Sequence, residues 1–211
     1  MTPAPREIAP AAFSALILAA GRSTRLEEFK PLLPLGGETL FERAIRLFRE
    51  AGIADVTAVL GHRAESLIPL AERGGVRPVV NARYDEGMFS SLRTGVLALE
   101  QGRRGFFLLP VDIPLVRPET LRALMAAFRE GTTDVCRPCF RGRYGHPPLI
   151  AAELIPAIAG FDGAGGLRAL LGRWQGRTAA VDVADPGILL DVDTRDDYER
   201  LRMTLAGDSE G

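Results

Sequence analysis

Four clusters of polar residues, each just past an apolar run, are the places where this sequence could do chemistry. In LAAGRSTRLEEFKPLLPLGG the apolar run ends at Leu18, Ala19, Ala20 and Gly21, and Arg22, Ser23, Arg25 and Lys30 follow. Small residues let backbone N–H groups approach phosphate oxygens, and the cations offset polyphosphate charge. The spacing is neither GxxxxGK[ST] nor GxGxxG, so it is no Walker loop and no dinucleotide fingerprint; alone, it reads equally as a solvated loop. In LLPVDIPLVRP, Asp112 ends a second apolar run between Pro110 and Pro114. A carboxylate there suits Mg²⁺, which takes oxygen ligands and bridges to phosphates; standing alone it would be a turn or helix-capping aspartate. In ILLDVDTRDD, Asp191 and Asp193 alternate, which puts both on one side of a strand as metal ligands, with helix capping the alternative for Asp193. In NARYDEGMFSSLRTG, Asn81 follows a strand, and Ser90 and Ser91 precede a helix whose first amides and hydroxyls either grip an anion or base edge or simply form an N-cap.

Two smaller signals complete the list. His146, in GRYGHPP, lies between glycine and proline turns beside Arg141 and Arg143, where it could face a second substrate; His62 reads as structural. Cys136 and Cys139 form a CxxC, but Pro138 lies between them in an apparent strand and the chain holds only these 2 cysteines. With no second ligand pair for zinc and no helix start for redox chemistry, they read as structural thiols.

The elements that must carry these residues alternate. Apolar runs bounded by Gly, Pro or Asp (Ser14 to Ala20, Asp55 to Leu60, Val76 to Val80, Gly105 to Val111) predict strands. Helical stretches follow them: Thr39 to Ala51, a segment after His62, Ser90 to Glu100, and Arg117 to Arg129. Gly52 and Gly102 mark helix stops, and Pro118 sits near a first turn, where its missing N–H costs little. Four consecutive βα units predict an α/β, Rossmann-like three-layer fold with a mostly parallel central sheet. Such sheets bind ligands beyond the carboxyl ends of their strands, where the four clusters lie. After Asp134 the pattern changes: a strand to Phe140, a stretch at Pro148 to Ile150, and a glycine-rich loop around Asp162 to Gly166 suggest an insertion over the sheet edge. Thr178 to Val183, the run Ile188 to Asp193 and a terminal helix opened by TRDD close the chain. One domain over residues 13–205 is expected, between a flexible tail at 1–12 and a carboxyl-terminal tail at 206–211.

Composition narrows the partners. Of 211 residues 25% are charged, yet the net charge is -1, so no general field favours nucleic acid or anionic membrane. No apolar stretch approaches the roughly 20 residues of a membrane span, and the amino end lacks a signal-peptide core. A cytoplasmic protein is expected.

Taken together, LAAGxSxR with a following lysine, PLLPLGG, GMFSSLRTG, PVDIPLV, GHPPLI and DVDTRDD resemble the nucleotidyltransferase family that includes the molybdenum cofactor guanylyl- and cytidylyltransferases. Within it, LAAG at Leu18 to Gly21 and GMFSSL resemble the cytidylyl branch, with Ser91 at the pyrimidine. The resemblance spans Leu16 to about Leu201. It implies that Ala20, Gly21, Arg25 and Lys30 hold the triphosphate, that Asp112 binds Mg²⁺ with Asp191 or Asp193, and that Gly145, His146 and Pro147 lie by a molybdopterin-type acceptor. CMP transfer from CTP, with Arg25, Lys30 and Asp112 catalytic and a molybdoenzyme or chaperone as transient partner, is the implied activity. The same chemistry with GTP or on a sugar phosphate is one alternative; a non-catalytic nucleotide- or cofactor-binding accessory protein is another. A dinucleotide oxidoreductase ranks last, for want of its glycine fingerprint. The chain departs from the family's RMGxxK at Leu26 and Glu27; a carboxylate at 27 pointing inward would repel a triphosphate.

Overall fold

The computed structural model describes residues 8–23, 26, 28–128 and 132–208; Arg25 and Glu27 lie outside them. The first half runs β1 (Phe13–Ala19), a small hairpin of β2 (Pro34–Leu35) and β3 (Glu38–Thr39), α1 (Leu40–Glu50), β4 (Asp55–Leu60), α2 (Ala64–Arg73), β5 (Arg77–Val80), α3 (Met88–Ala98), β6 (Gly105–Pro110) and α4 (Pro118–Ala127). The second half adds β7 (Val135–Phe140), β8 (Arg143–Tyr144), β9 (Leu149–Ala151), α5 (Ile155–Ala159), α6 (Gly166–Gly172), β10 (Thr178–Asp182) and α7 (Arg195–Asp208). The main sheet has the order β10-β7-β9-β6-β1-β4-β5, with β8 beside β7. β1 is parallel to β4 and β6, β4 to β5, and β7 to β10. β9 alone runs antiparallel to both of its neighbours, β6 and β7.

Every residue of β1 is buried, because helices cover both faces of the sheet; this is why its sequence is a continuous apolar run and not an alternating one. Ala15, Ile17 and Ala19, with Phe107 and Leu109, face a cluster completed by Phe41 and Phe48 of α1, Leu67 of α2 and Leu124 of α4. Leu16 and Leu18, with Phe106 and Leu108, face a second cluster completed by Leu92 and Val96 of α3, Ile158 of α5 and Leu170 of α6. Each of the larger of these side chains, the leucines, Ile17 and the phenylalanines among them, contributes about 1.5 to 3 kcal/mol when withdrawn from water. The expected three-layer, mostly parallel α/β fold is thus the observed one.

Helix ends follow local chemistry. The Thr39 hydroxyl accepts from the Glu42 N–H at 3.2 Å while the Glu42 carboxylate accepts from the Thr39 N–H at 2.9 Å, a reciprocal cap that starts α1. Gly52, at φ 84°, follows the end of that helix, and Pro118 occupies the first turn of α4. Thr194 and Asp197 repeat the reciprocal pattern before α7, at 3.2 and 2.8 Å.

Four expectations need correction. The segment after Asp134 is no insertion over the sheet edge: β7, β9 and β10 extend the main sheet past β6. The run Ile188 to Asp193 is not a strand, because Pro186 and Gly187 open a 3₁₀ turn, Pro186–Leu189, and the chain then crosses without a ladder. Ser90 and Ser91 lie inside the first turn of α3 and not before it, since the helix opens at Met88 after Gly87, at φ 96°. At the ends, Pro10–Ala12 forms a 3₁₀ turn with Ile8 packed on the core, and α7 continues past residue 205. Cys136 and Cys139 are both buried.

Candidate active site

From β1 the chain winds outward to β4 and β5, then returns to β6 on the other side of β1. The crevice beyond the carboxyl ends of β1 and β6 is therefore a topological switch point, where open α/β sheets receive ligands. A cavity of about 350 Å³ opens there. Leu18, Ala19, Ala20, Gly21, Ser23 and Lys30 enter it from the end of β1, Asp112 from the end of β6, Ser91 from α3 and Asp193 from the stretch before α7.

The chemistry centres on Lys30. Its ammonium lies 3.1 Å from Asp112 Oδ2 and 3.1 Å from Asp193 Oδ1, with the lysine side chain only 11% exposed and the carboxylates about a third or less. Ser23, at φ 57°, sets the base of this arrangement: its hydroxyl accepts from the Lys30 N–H at 3.0 Å. Asp193 reaches the site because the Val192 N–H donates to the Asp112 carbonyl at 2.8 Å, clipping the final crossing segment onto the end of β6. Asp191 is exposed and is not part of the cavity wall.

Other predicted residues play different parts. Arg22 stands outside the cavity in a two-bond pair with Asp85, at 2.8 and 2.9 Å, which holds that carboxyl below its usual range. Asn81 and Ser90 are buried and absent from the cavity wall. The Asn81 amide donates to Ser90 at 2.8 Å and Ser91 at 3.1 Å and its carbonyl accepts from the Arg83 N–H, while the Ser90 hydroxyl lies within hydrogen-bond distance of the Arg83 and Gly87 carbonyls, at 2.9 and 2.8 Å, with one proton to donate. These two residues brace the loop that presents Ser91, Tyr84 and Met88 to the cavity. His62 packs edge-on to Phe29, as a structural residue does.

A second cavity, of about 880 Å³, adjoins the first and shares Met88 and Pro110 with it. Gly145 and His146 line it; Pro147 is buried behind. Gly145 is obligatory, since a Cβ there would stand 2.3 Å from the Ile188 carbonyl oxygen. Burial holds the His146 imidazole below its ordinary value, so it is neutral at pH 7. Arg137, Tyr144 and Arg168 also line this cavity, and sequence reasoning missed them. Arg137 carried the one available signal, a charged residue within the strand VCRPCF, where charge is uncommon without a purpose.

Two carboxylates and a cation at a switch point suit charge-rich phosphate chemistry: the acids offer hard oxygen ligands, and the ammonium offsets phosphoryl charge. Among the described residues no group of three or more His, Cys, Asp or Glu side chains forms a metal cluster, and no helix is long and apolar enough to cross a membrane.

Comparison with known proteins agrees with this geometry. Residues 15–179 match the model of the MobA-like NTP transferase domain. Nicotine blue oxidoreductase of Paenarthrobacter nicotinovorans is 32% identical over 196 residues, covering 88% of this chain and 94% of that protein. Molybdenum cofactor cytidylyltransferase of Escherichia coli strain K12 is 26% identical over 189 residues, covering 89% and 94%. The crystal structure of Rv0371c from Mycobacterium tuberculosis H37Rv in complex with manganese superposes with a TM-score of 0.73 at 29% identity, covering 91% of this chain and 98% of that one.

Proposed function

The chain belongs to the MobA-like NTP transferase family, and from that premise we propose that it transfers CMP from CTP to the phosphate of a molybdopterin-type acceptor, with Mg²⁺. The observation that carries the reading is the convergence of Lys30, Asp112 and Asp193 in a cavity that opens onto a second one large enough for an acceptor. The LAAG turn and the place of Ser91 in the cavity wall support CTP, as does the name of the E. coli relative.

An acceptor phosphate oxygen attacks the α-phosphorus in line; the new O–P bond forms as the bond to the departing pyrophosphate breaks. An ionised phosphate needs no strong base, so the chain's work is to position and to stabilise charge. Lys30 offsets the charge that builds on the phosphoryl and leaving oxygens. The backbone of Ala20 and Gly21 bounds the triphosphate. Asp112 and Asp193 fit a hard divalent ion, since one oxygen of each meets at the same ammonium; a metal that keeps waters and phosphate oxygens needs no more than one or two carboxylates. Bound there, the ion neutralises phosphate charge.

The test is pyrophosphate release with Mg²⁺ and each of CTP, GTP, ATP and UTP, with and without molybdenum-loaded molybdopterin. Release with CTP only when the pterin is present is the expected result, and Asp112→Ala abolishes it while the circular dichroism spectrum is unchanged. Release with another nucleotide moves the base assignment; release only with a sugar phosphate moves the acceptor. No release with any pair overturns the catalytic reading in favour of an accessory protein that binds nucleotide and a molybdoenzyme or chaperone. The Paenarthrobacter relative is named an oxidoreductase, so nicotinamide oxidation is followed in parallel; turnover there without pyrophosphate would replace the transferase reading.

A further inference from the structure

The larger cavity carries two arginines, Arg137 and Arg168, and among the described residues no carboxylate lines it. Arg137 projects from β7 between the buried neighbours Cys136 and Pro138, where an uncompensated charge is costly. The guanidinium stacks on Tyr144, 4.2 Å from the ring centroid, and stacking fixes its plane. Its Nε is shut off from solvent and hydrogen-bonds to nothing. The groups acting on its charge are Tyr144, Arg168 and Cys139, none of them a carboxylate, and burial, with Arg168 adding to it, pushes its pKa down. A preoriented guanidinium with a second cation beside it, and no carboxylate among the described residues of the wall, is complementary to an anion. Gln175 and Thr178 add neutral hydrogen-bonding groups to the same wall.

Resting on the reading of this cavity as the acceptor site, we infer that the acceptor carries a second anionic group, remote from the phosphate that takes the nucleotide, and that Arg137 and Arg168 hold it. A phosphate, a carboxylate and an oxometallate share the required charge and oxygen acceptors. The two arginines thus select acceptors with charge at both ends against those with an uncharged far end.

The full chain, labelled with ¹⁵N and saturated with Mg²⁺ and CTP to fill the first cavity, is titrated with inorganic phosphate, acetate and molybdate in turn. The reporter is the Arg137 Nε–H resonance, assigned by its loss in Arg137→Lys. A saturable shift is expected with at least one anion, and the one bound most tightly names the source of the charge. Arg168→Met weakens that binding about tenfold, the worth of one charge-assisted hydrogen bond, while Arg122→Met on α4 does not. In turnover, Arg168→Met raises the KM for acceptor and leaves the KM for CTP and kcat unchanged. An Arg137 resonance unmoved by all three anions, or a shift equally weakened by both methionine variants, overturns the inference. The titration needs no turnover, so a failure of the transferase reading shows separately, as absent pyrophosphate.

Discussion

Lys30 is held at three points, by Ser23 through its backbone and by Asp112 and Asp193 through its ammonium. The two acids gain a shared counter-charge, and because both are about 30% exposed the pairing is worth no more than about 1 kcal/mol each after solvent screening. Function and stability therefore separate here. Lys30→Met is expected to lower kcat by 100-fold or more, the usual cost of losing a charge aimed at the reacting phosphoryl group, with a melting temperature within a few degrees of the parent. The same variant takes the shared ammonium away from the two carboxylates. Mg²⁺ alone should then raise its melting temperature more than that of the parent, and an equal rise in both would mean that the carboxylate pair is not where the ion binds.

At the scale of elements, the reciprocal cap on α1 makes a pH-dependent prediction. The Thr39 backbone N–H and hydroxyl hold the Glu42 carboxyl below its ordinary value. A depressed folded-state pKa stabilises the fold above the unfolded carboxylate range, and that stability is lost as pH falls through the folded value. Glu42→Gln should lower the melting temperature near pH 7 and converge with the parent in strong acid; Thr39→Ala should cost about 1 kcal/mol. Caps of this kind were legible in the sequence, as were the four βα units, because apolar period and punctuation act within a few residues. The second half was less legible, for physical reasons. The run ILLDVD is apolar because Ile188 and Val192 are fully buried, yet burial does not specify a ladder, and Pro186 and Gly187 bend the chain into a turn. The short α5 and α6 offer too few turns for a period to show. The antiparallel insertion of β9 between β6 and β7 is a long-range pairing with no local mark. In the site, Asp112 and Lys30 stood out by position, whereas Arg137 and Arg168 meet only through the sheet and α6.

Across the whole molecule, one sheet separates two apolar clusters, and the two cavities draw on that division unequally. The first cavity, with Lys30, Asp112 and Asp193, takes Leu18 and Ala19 from the end of β1, one from each cluster, while the second takes Leu167 and Leu171 of α6 as part of its wall. Whether the α5–α6 layer unfolds with the rest decides if 13–205 is one cooperative domain, as we propose, or if the side that walls the second cavity opens alone. Leu124 of α4 and Leu170 of α6 are fully and almost fully buried, on opposite faces of the sheet. Each truncation to alanine should cost about 2 to 5 kcal/mol. Because the two side chains belong to different clusters on opposite faces of the sheet, the double variant should lose the sum to within about 0.5 kcal/mol, in a single transition by fluorescence and circular dichroism alike. Trp174 packs against the α6 cluster, so its fluorescence reports that layer directly. A tryptophan transition that precedes the loss of helicity in Leu170→Ala, but not in Leu124→Ala, would show an α5–α6 layer that melts as its own unit.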